Sequence, residues 1–158
     1  MDELKYNLGV YIDCSKGVLM GAAWNDYAEF RSSEAKIDAG LVVYEKGDDL
    51  VDIAHNRLMP GCSIVSDTFG FAIGKTDKAK TPVATCGRVL AYPAEPRDIY
   101  KPGDAVCSAP DGKVSKMTRD EIKEYPDCII GYVSSVPTYD TWEPTNTAIN
   151  NRIWIKIK

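Results

Sequence analysis

Short apolar stretches separated by turn residues recur along the chain, and this spacing predicts strands. LGVYI (8–12) and GVLMGAAW (17–24) flank a tight polar turn and read as a hairpin. GLVVYEKGDDLVDIA (40–54) reads as a second, with Lys46-Gly47-Asp48 as its turn and the glycine supplying a positive φ. CSIVSD, FGFAIG, PVATCGRVLAY, DAVCSAP, KVSKM and CIIGYVSSV follow, most of them rich in the β-branched and aromatic residues that strands prefer. The final RIWIKIK alternates strictly. Ile153, Ile155 and Ile157 fall on one face and Arg152, Trp154, Lys156 and Lys158 on the other, which predicts a half-buried strand tied into a sheet.

One segment breaks this pattern. Thr118-Arg119-Asp120-Glu121 matches a capping box, and the helix it opens must stop before Pro126, which pushes Tyr125 out of the α region. Pro60-Gly61, Pro102-Gly103-Asp104 and Pro110-Asp111-Gly112 are strong turn signals. Together they predict a mainly β fold, a small barrel or sandwich with one short helix near 118–125. The chain is long enough for one core, so residues 1–158 are read as a single domain: a hairpin-like segment, 1–25, leading into a β domain, 26–158.

Composition narrows the function. Net charge is −4 with no block of like charges, and the nearest thing to a basic cluster, Lys75, Lys78 and Lys80, is diluted by Asp77, so nucleic acid is not an expected partner. No apolar run approaches the ~20 residues that span a bilayer, and no basic-then-apolar leader opens the chain, so membrane insertion is not expected and synthesis in a cytosol is. The cysteines at 14, 62, 86, 107 and 128 include no C-x-x-C pair, and His55 is the single histidine. Reduced packing thiols are therefore expected, with no metal and no cofactor. Phosphate-loop, dinucleotide, zinc-protease and nucleophile-elbow motifs are absent, and Gly70 to Gly74 is too bulky for a phosphate cradle.

Two places remain. The long polar loop PTYDTWEPTNTAINN (137–151) carries Tyr139 and Trp142, residue types that anchor ligands and interfaces, though Trp142 serves equally well to plug the end of a β body. The second is Asn25-Asp26-Tyr27-Ala28-Glu29. Asp26 and Glu29 point to opposite faces of a strand but converge in a turn, and two converging carboxyls can divide into acid and base. The Asn-Asp bond is itself fragile: the Asn25 amide, or the Asp26 carboxylate, can attack the adjacent carbonyl, and a fold that fixes the geometry accelerates the attack.

Asp26-Tyr27-Ala28-Glu29, followed by a Pro-Gly-Asp turn and Ile129-Ile130-Gly131-Tyr132-Val133-Ser134-Ser135-Val136-Pro137, resembles the C-terminal intramolecular-chaperone domains of bacteriophage neck-appendage and tail-fibre proteins, an auto-cleaving glutamic peptidase family. The similarity covers about residues 22 to 142. The resemblance implies a homotrimer that helps three fibre chains register and then cuts itself off once, in cis or across the trimer. It implies Asp26 and Glu29 as the catalytic acids and the bond after Asn25 as the cut. Asn25 itself departs from the smaller residue, such as Ser, expected there. The implied setting is a phage virion, the chain being made in the bacterial cytoplasm and contacting itself and other virion proteins. A non-cleaving capsid or tail decoration or adhesion protein of the same fold, binding coat subunits or a host surface glycan through Tyr139 and Trp142, is the alternative. A soluble enzyme of an unrelated class would need a nucleophile–base pair or metal cluster that the sequence lacks.

Overall fold

The structure is a computed structural model, and it describes the backbone of residues 10–13 and 18–21 and all of residues 25–158. The protein is mainly β, with one short α-helix. Strands β1 (Val10–Asp13) and β2 (Val18–Gly21) pair antiparallel, as the first hairpin pattern predicts; the remainder of residues 1–24 lies outside the described residues.

The main sheet contains β3 (Asp26–Ser32), β4 (Val42–Gly47), β5 (Leu50–Ile53), β6 (Ser63–Ile64), β7 (Phe69–Ile73), β8 (Ala79–Ala91), β9 (Ala105–Ala109), β10 (Lys113–Lys116), β11 (Gly131–Ser135) and β14 (Ile153–Ile157). A short ribbon pairs β12 (Thr141–Trp142) with β13 (Thr147–Ala148). The order along the main sheet is β10-β9-β11-β14-β8-β3-β5-β4-β6, with β7 added beside β3. The path does not return on itself, so of the expected barrel or sandwich the closed barrel is not formed and the sheet is open.

Strand β8 joins the two halves of this sheet. Its residues from Ala79 to Gly87 pair with β3, and those from Arg88 to Ala91 pair with β14. Val42, Ile64 and Ala84 from one half meet Val89, Val106, Val114, Val133, Ile153 and Ile155 from the other in a single buried cluster. Burying the valine and isoleucine side chains of this cluster is the main favourable term, each contributing about 1.5–3 kcal/mol.

Three local readings are refined. In the second hairpin the turn is Asp48-Asp49, at φ 53° and 61°, and Gly47 at φ 104° occupies a bulge one residue earlier. A two-residue turn with both φ positive matches the twist of the strands it joins, and aspartate tolerates that conformation. In β14, Ile153, Trp154 and Ile155 are all buried, so the N-terminal half of the strand is covered on both faces. Trp154 packs with Leu90 and Ile149, and Arg152 is buried too, donating to Asp67 at 2.9 Å and to the Ile149 carbonyl at 3.1 Å. A strand covered twice keeps its alternation in sequence while losing it in exposure. Cys86 is exposed, unlike the expected packing thiols; Cys62 is half-buried, and Cys107 and Cys128 are buried.

The helix α1 (Arg119–Glu124) carries the expected box: the Thr118 hydroxyl accepts from the Glu121 N–H at 3.2 Å, and Glu121 accepts from the Thr118 N–H at 2.8 Å.

Candidate functional site

Asp26 opens β3 in the interior of the sheet. It lies opposite Gly87 of antiparallel β8 and beside Phe69 of parallel β7. The ladder is irregular on both sides: the register with β7 shifts between Asp26 and Tyr27, and that with β8 between Tyr27 and Ala28. Bulges of this kind re-aim side chains and occur often beside reactive sites.

Gly87 permits this approach. It holds φ at 92°, and a Cβ there would lie 2.3 Å from the Asn25 carbonyl oxygen and 2.8 Å from the Asp26 Cα. Only a residue with no side chain lets the two backbones come this close.

Next in sequence, Arg88 donates its backbone N–H to the Asn25 carbonyl oxygen at 2.8 Å. Its guanidinium donates to Asn25 Oδ1 at 3.1 Å. The carbonyl of the Asn25–Asp26 peptide is thus polarised by a fixed donor, and the Asn25 side chain is oriented by a second. Asn25 is 7% exposed and Asp26 1%. Asn25 Nδ2 and Asp26 Oδ2 have no hydrogen-bond partner among the described residues.

Asp26 Oδ1 accepts from the Thr68 hydroxyl at 3.0 Å, and the Thr68 N–H donates to Ser66 Oγ at 3.0 Å. Burial pushes the Asp26 carboxyl up to about 6; the Ser66 and Thr68 hydroxyls oppose the shift, and neighbouring Asp67 adds to it. A buried carboxyl with one oxygen unpaired holds its proton more tightly than a solvated one, because the charged form loses its water.

Glu29 stands apart from this arrangement. Strand geometry sends it to the other face, where it is exposed in a shallow cleft with Phe30, Arg31, Ser32, Asp49 and Ala79. One chain therefore does not bring the Asp26 and Glu29 carboxyls together.

Tyr139 and Trp142 do come together, lining a cleft of about 430 Å³ with Thr141, Glu143 and Pro144. Trp142 is half-buried with its ring edge-on to Trp154 at 5.4 Å, and the Trp154 Nε1–H donates to the Tyr139 hydroxyl at 2.8 Å. Arg88 bridges this cluster to the first site: its guanidinium lies 5.9 Å from the Trp154 ring centre. His55 is exposed and packs edge-on against Tyr44.

The sequence singles out Asn25, Asp26, Glu29, Tyr139 and Trp142; the structure adds Thr68, Gly87 and Arg88 beside Asn25 and Asp26, with Ser66 behind Thr68. Gly87 had a readable signal, a glycine inside the apolar run PVATCGRVLAY, where a strand glycine marks a bulge or a close backbone approach. Arg88 reaches Asn25 through the pairing of β8 with β3, and Ser66 and Thr68 come from the segment leading into β7, all far from Asn25 in sequence. Searches of protein-family models, curated proteins and solved structures found no match to the chain.

Proposed function

We propose that this chain is a bacteriophage assembly module of the intramolecular-chaperone type, a homotrimer that breaks its own Asn25–Asp26 bond. The observation carrying the reading is the burial of that bond: a fragile dipeptide seated between β7 and β8, its carbonyl on the Arg88 N–H, beside a carboxyl pushed up to about 6. A dipeptide with only a structural job would need neither the close approach at Gly87 nor a buried carboxyl pushed up to about 6.

The division of labour follows from the two environments. Asp26 is the proton donor, since it keeps its proton nearest to neutral pH. Glu29 is solvated and is the carboxylate able to act as base. Because Glu29 turns away from Asp26 within one chain and the Asn25–Asp26 bond is buried, its part in the reaction is placed at the contact between copies, where it ties cleavage to trimer formation.

Light scattering on freshly folded protein, followed by a denaturing gel, tests both parts. The expected result is a species of three chains that yields two fragments, with Asp26→Ala and Glu29→Ala each giving only intact chain. A clean monomer that never splits would overturn the reading.

The Tyr139–Trp142 cleft favours a second reading, a decoration or adhesion protein that does not cleave. A cleft lined by Tyr139 and Trp142 beside Thr141 and Glu143 combines aromatic surface with polar groups, the composition that suits a sugar ring. Quenching of tryptophan fluorescence by host glycans in an uncleaved trimer would favour it.

A further inference from the structure

We propose that the Asn25 side chain is itself the nucleophile of the cut, so that the bond opens by ring closure and not by attack of water. This inference rests on the self-cleavage reading above and names the chemistry of that same site.

Three observations lead to it. The Asn25 Nδ2 is buried and has no hydrogen-bond acceptor among the described residues, so the nitrogen of its amide is not held in any described hydrogen bond. A buried amide donor left unpaired is costly, and such exceptions call for an explanation. Asn25 and Asp26 are 7% and 1% exposed, which leaves bulk water little access to the bond. Finally, Arg88 engages both carbonyls of Asn25, the backbone oxygen at 2.8 Å and Oδ1 at 3.1 Å. The first contact stabilises the negative oxygen of a tetrahedral intermediate. The second draws electron density from the side-chain amide and makes its N–H easier to deprotonate.

The Asp26 carboxyl is the weaker candidate nucleophile. Its Oδ2 is as unpaired as Asn25 Nδ2, but Thr68 fixes the group through Oδ1, and burial raises the share of the protonated form, which attacks poorly.

The reaction balances within the chain. Nδ2 of Asn25 bonds to the Asn25 main-chain carbonyl carbon and closes a five-membered imide. The bond from that carbon to the Asp26 nitrogen breaks. One proton passes overall from Nδ2 to the departing nitrogen, with Asp26 as donor to it. The products are an N-terminal fragment ending in a cyclic imide and a C-terminal fragment beginning with free Asp26. No oxidant, metal or water is consumed.

Intact mass of the N-terminal fragment, taken as cleavage proceeds, tests this without any variant. The expected fragment is lighter by one water than a hydrolysed Met1-to-Asn25 peptide, and hydroxylamine added during the reaction converts it to a hydroxamate. A fragment carrying the full mass of a hydrolysed chain from the earliest time, with label from heavy-oxygen water in its new carboxyl and no hydroxamate, overturns the inference while leaving self-cleavage standing. No fragment at all overturns both. Asn25→Ala, checked for folding by circular dichroism, is expected to cut at least roughly 100-fold more slowly, since the tethered nucleophile is gone; cutting at the original rate overturns the inference.

Discussion

Arg88 holds Asn25 at two points, with the backbone N–H on the main-chain carbonyl at 2.8 Å and the guanidinium on Oδ1 at 3.1 Å. The same guanidinium lies 5.9 Å from the ring centre of Trp154. One residue thus orients the amide and links it to the aromatic cluster beneath Tyr139. Arg88→Ala removes the side-chain contacts and leaves the backbone donor in place. We expect a modest loss of stability, about 1–2 kcal/mol by urea unfolding, with cleavage slowed by about tenfold or more. An unchanged cleavage rate would mean that the guanidinium does not orient Asn25.

Gly87 and Gly103 offer a matched pair. Both have φ at 92°, but a Cβ at Gly103 meets nothing within 4 Å, whereas one at Gly87 meets the Asn25 carbonyl oxygen at 2.3 Å. Gly103→Ala is expected to cost only the backbone strain, about 1–2 kcal/mol. Gly87→Ala is expected to cost about 1–3 kcal/mol beyond that, because β3 must move away from β8. Chemical unfolding of the two variants side by side measures the difference, and equal losses would contradict the close approach drawn between these strands.

Asp26 makes stability depend on pH in a direction opposite to most acids. Its carboxyl is pushed up to about 6 by burial, above its ordinary 3.8 when unfolded, so between those values the folded chain binds more proton than the unfolded one. Stability therefore falls as pH rises through that window, by an amount on the order of 3 kcal/mol. Glu121 acts the other way: Arg57 and the Thr118 N–H hold it down at about 2, so its contribution is present above its ordinary 4.5 and is lost as the pH falls toward 2. Asp26→Asn cannot ionise and is expected to flatten the curve between pH 4 and 7. Urea midpoints measured across that range check it, and an unflattened curve would place the titrating group elsewhere.

The fold was legible wherever a local rule decides local structure. The Thr118–Glu121 box and the second hairpin needed only neighbours in sequence. The turn there moved by one residue because Asp48 and Asp49 themselves tolerate positive φ and leave Gly47 to a bulge. The open sheet was not legible, since nothing local to Ala79–Ala91 says that one strand will pair with β3 along one half and β14 along the other. The site divides in the same way. Asn25 and Asp26 stood out by chemistry, but Thr68 and Arg88 reach them across more than forty residues of chain, and Glu29 looked like a partner only while a turn was open to it. Once the segment is a strand, alternation separates the two carboxyls.

We propose that the folded protein, and not the bare dipeptide, breaks the Asn25–Asp26 bond. Intact mass followed over time, in buffer and in parallel in denaturing urea, tests it directly. The expected outcome is steady conversion in buffer to a piece ending at Asn25 and a piece beginning at Asp26, with the urea sample staying whole. An intact chain in both, or the same slow scission in both, would contradict it.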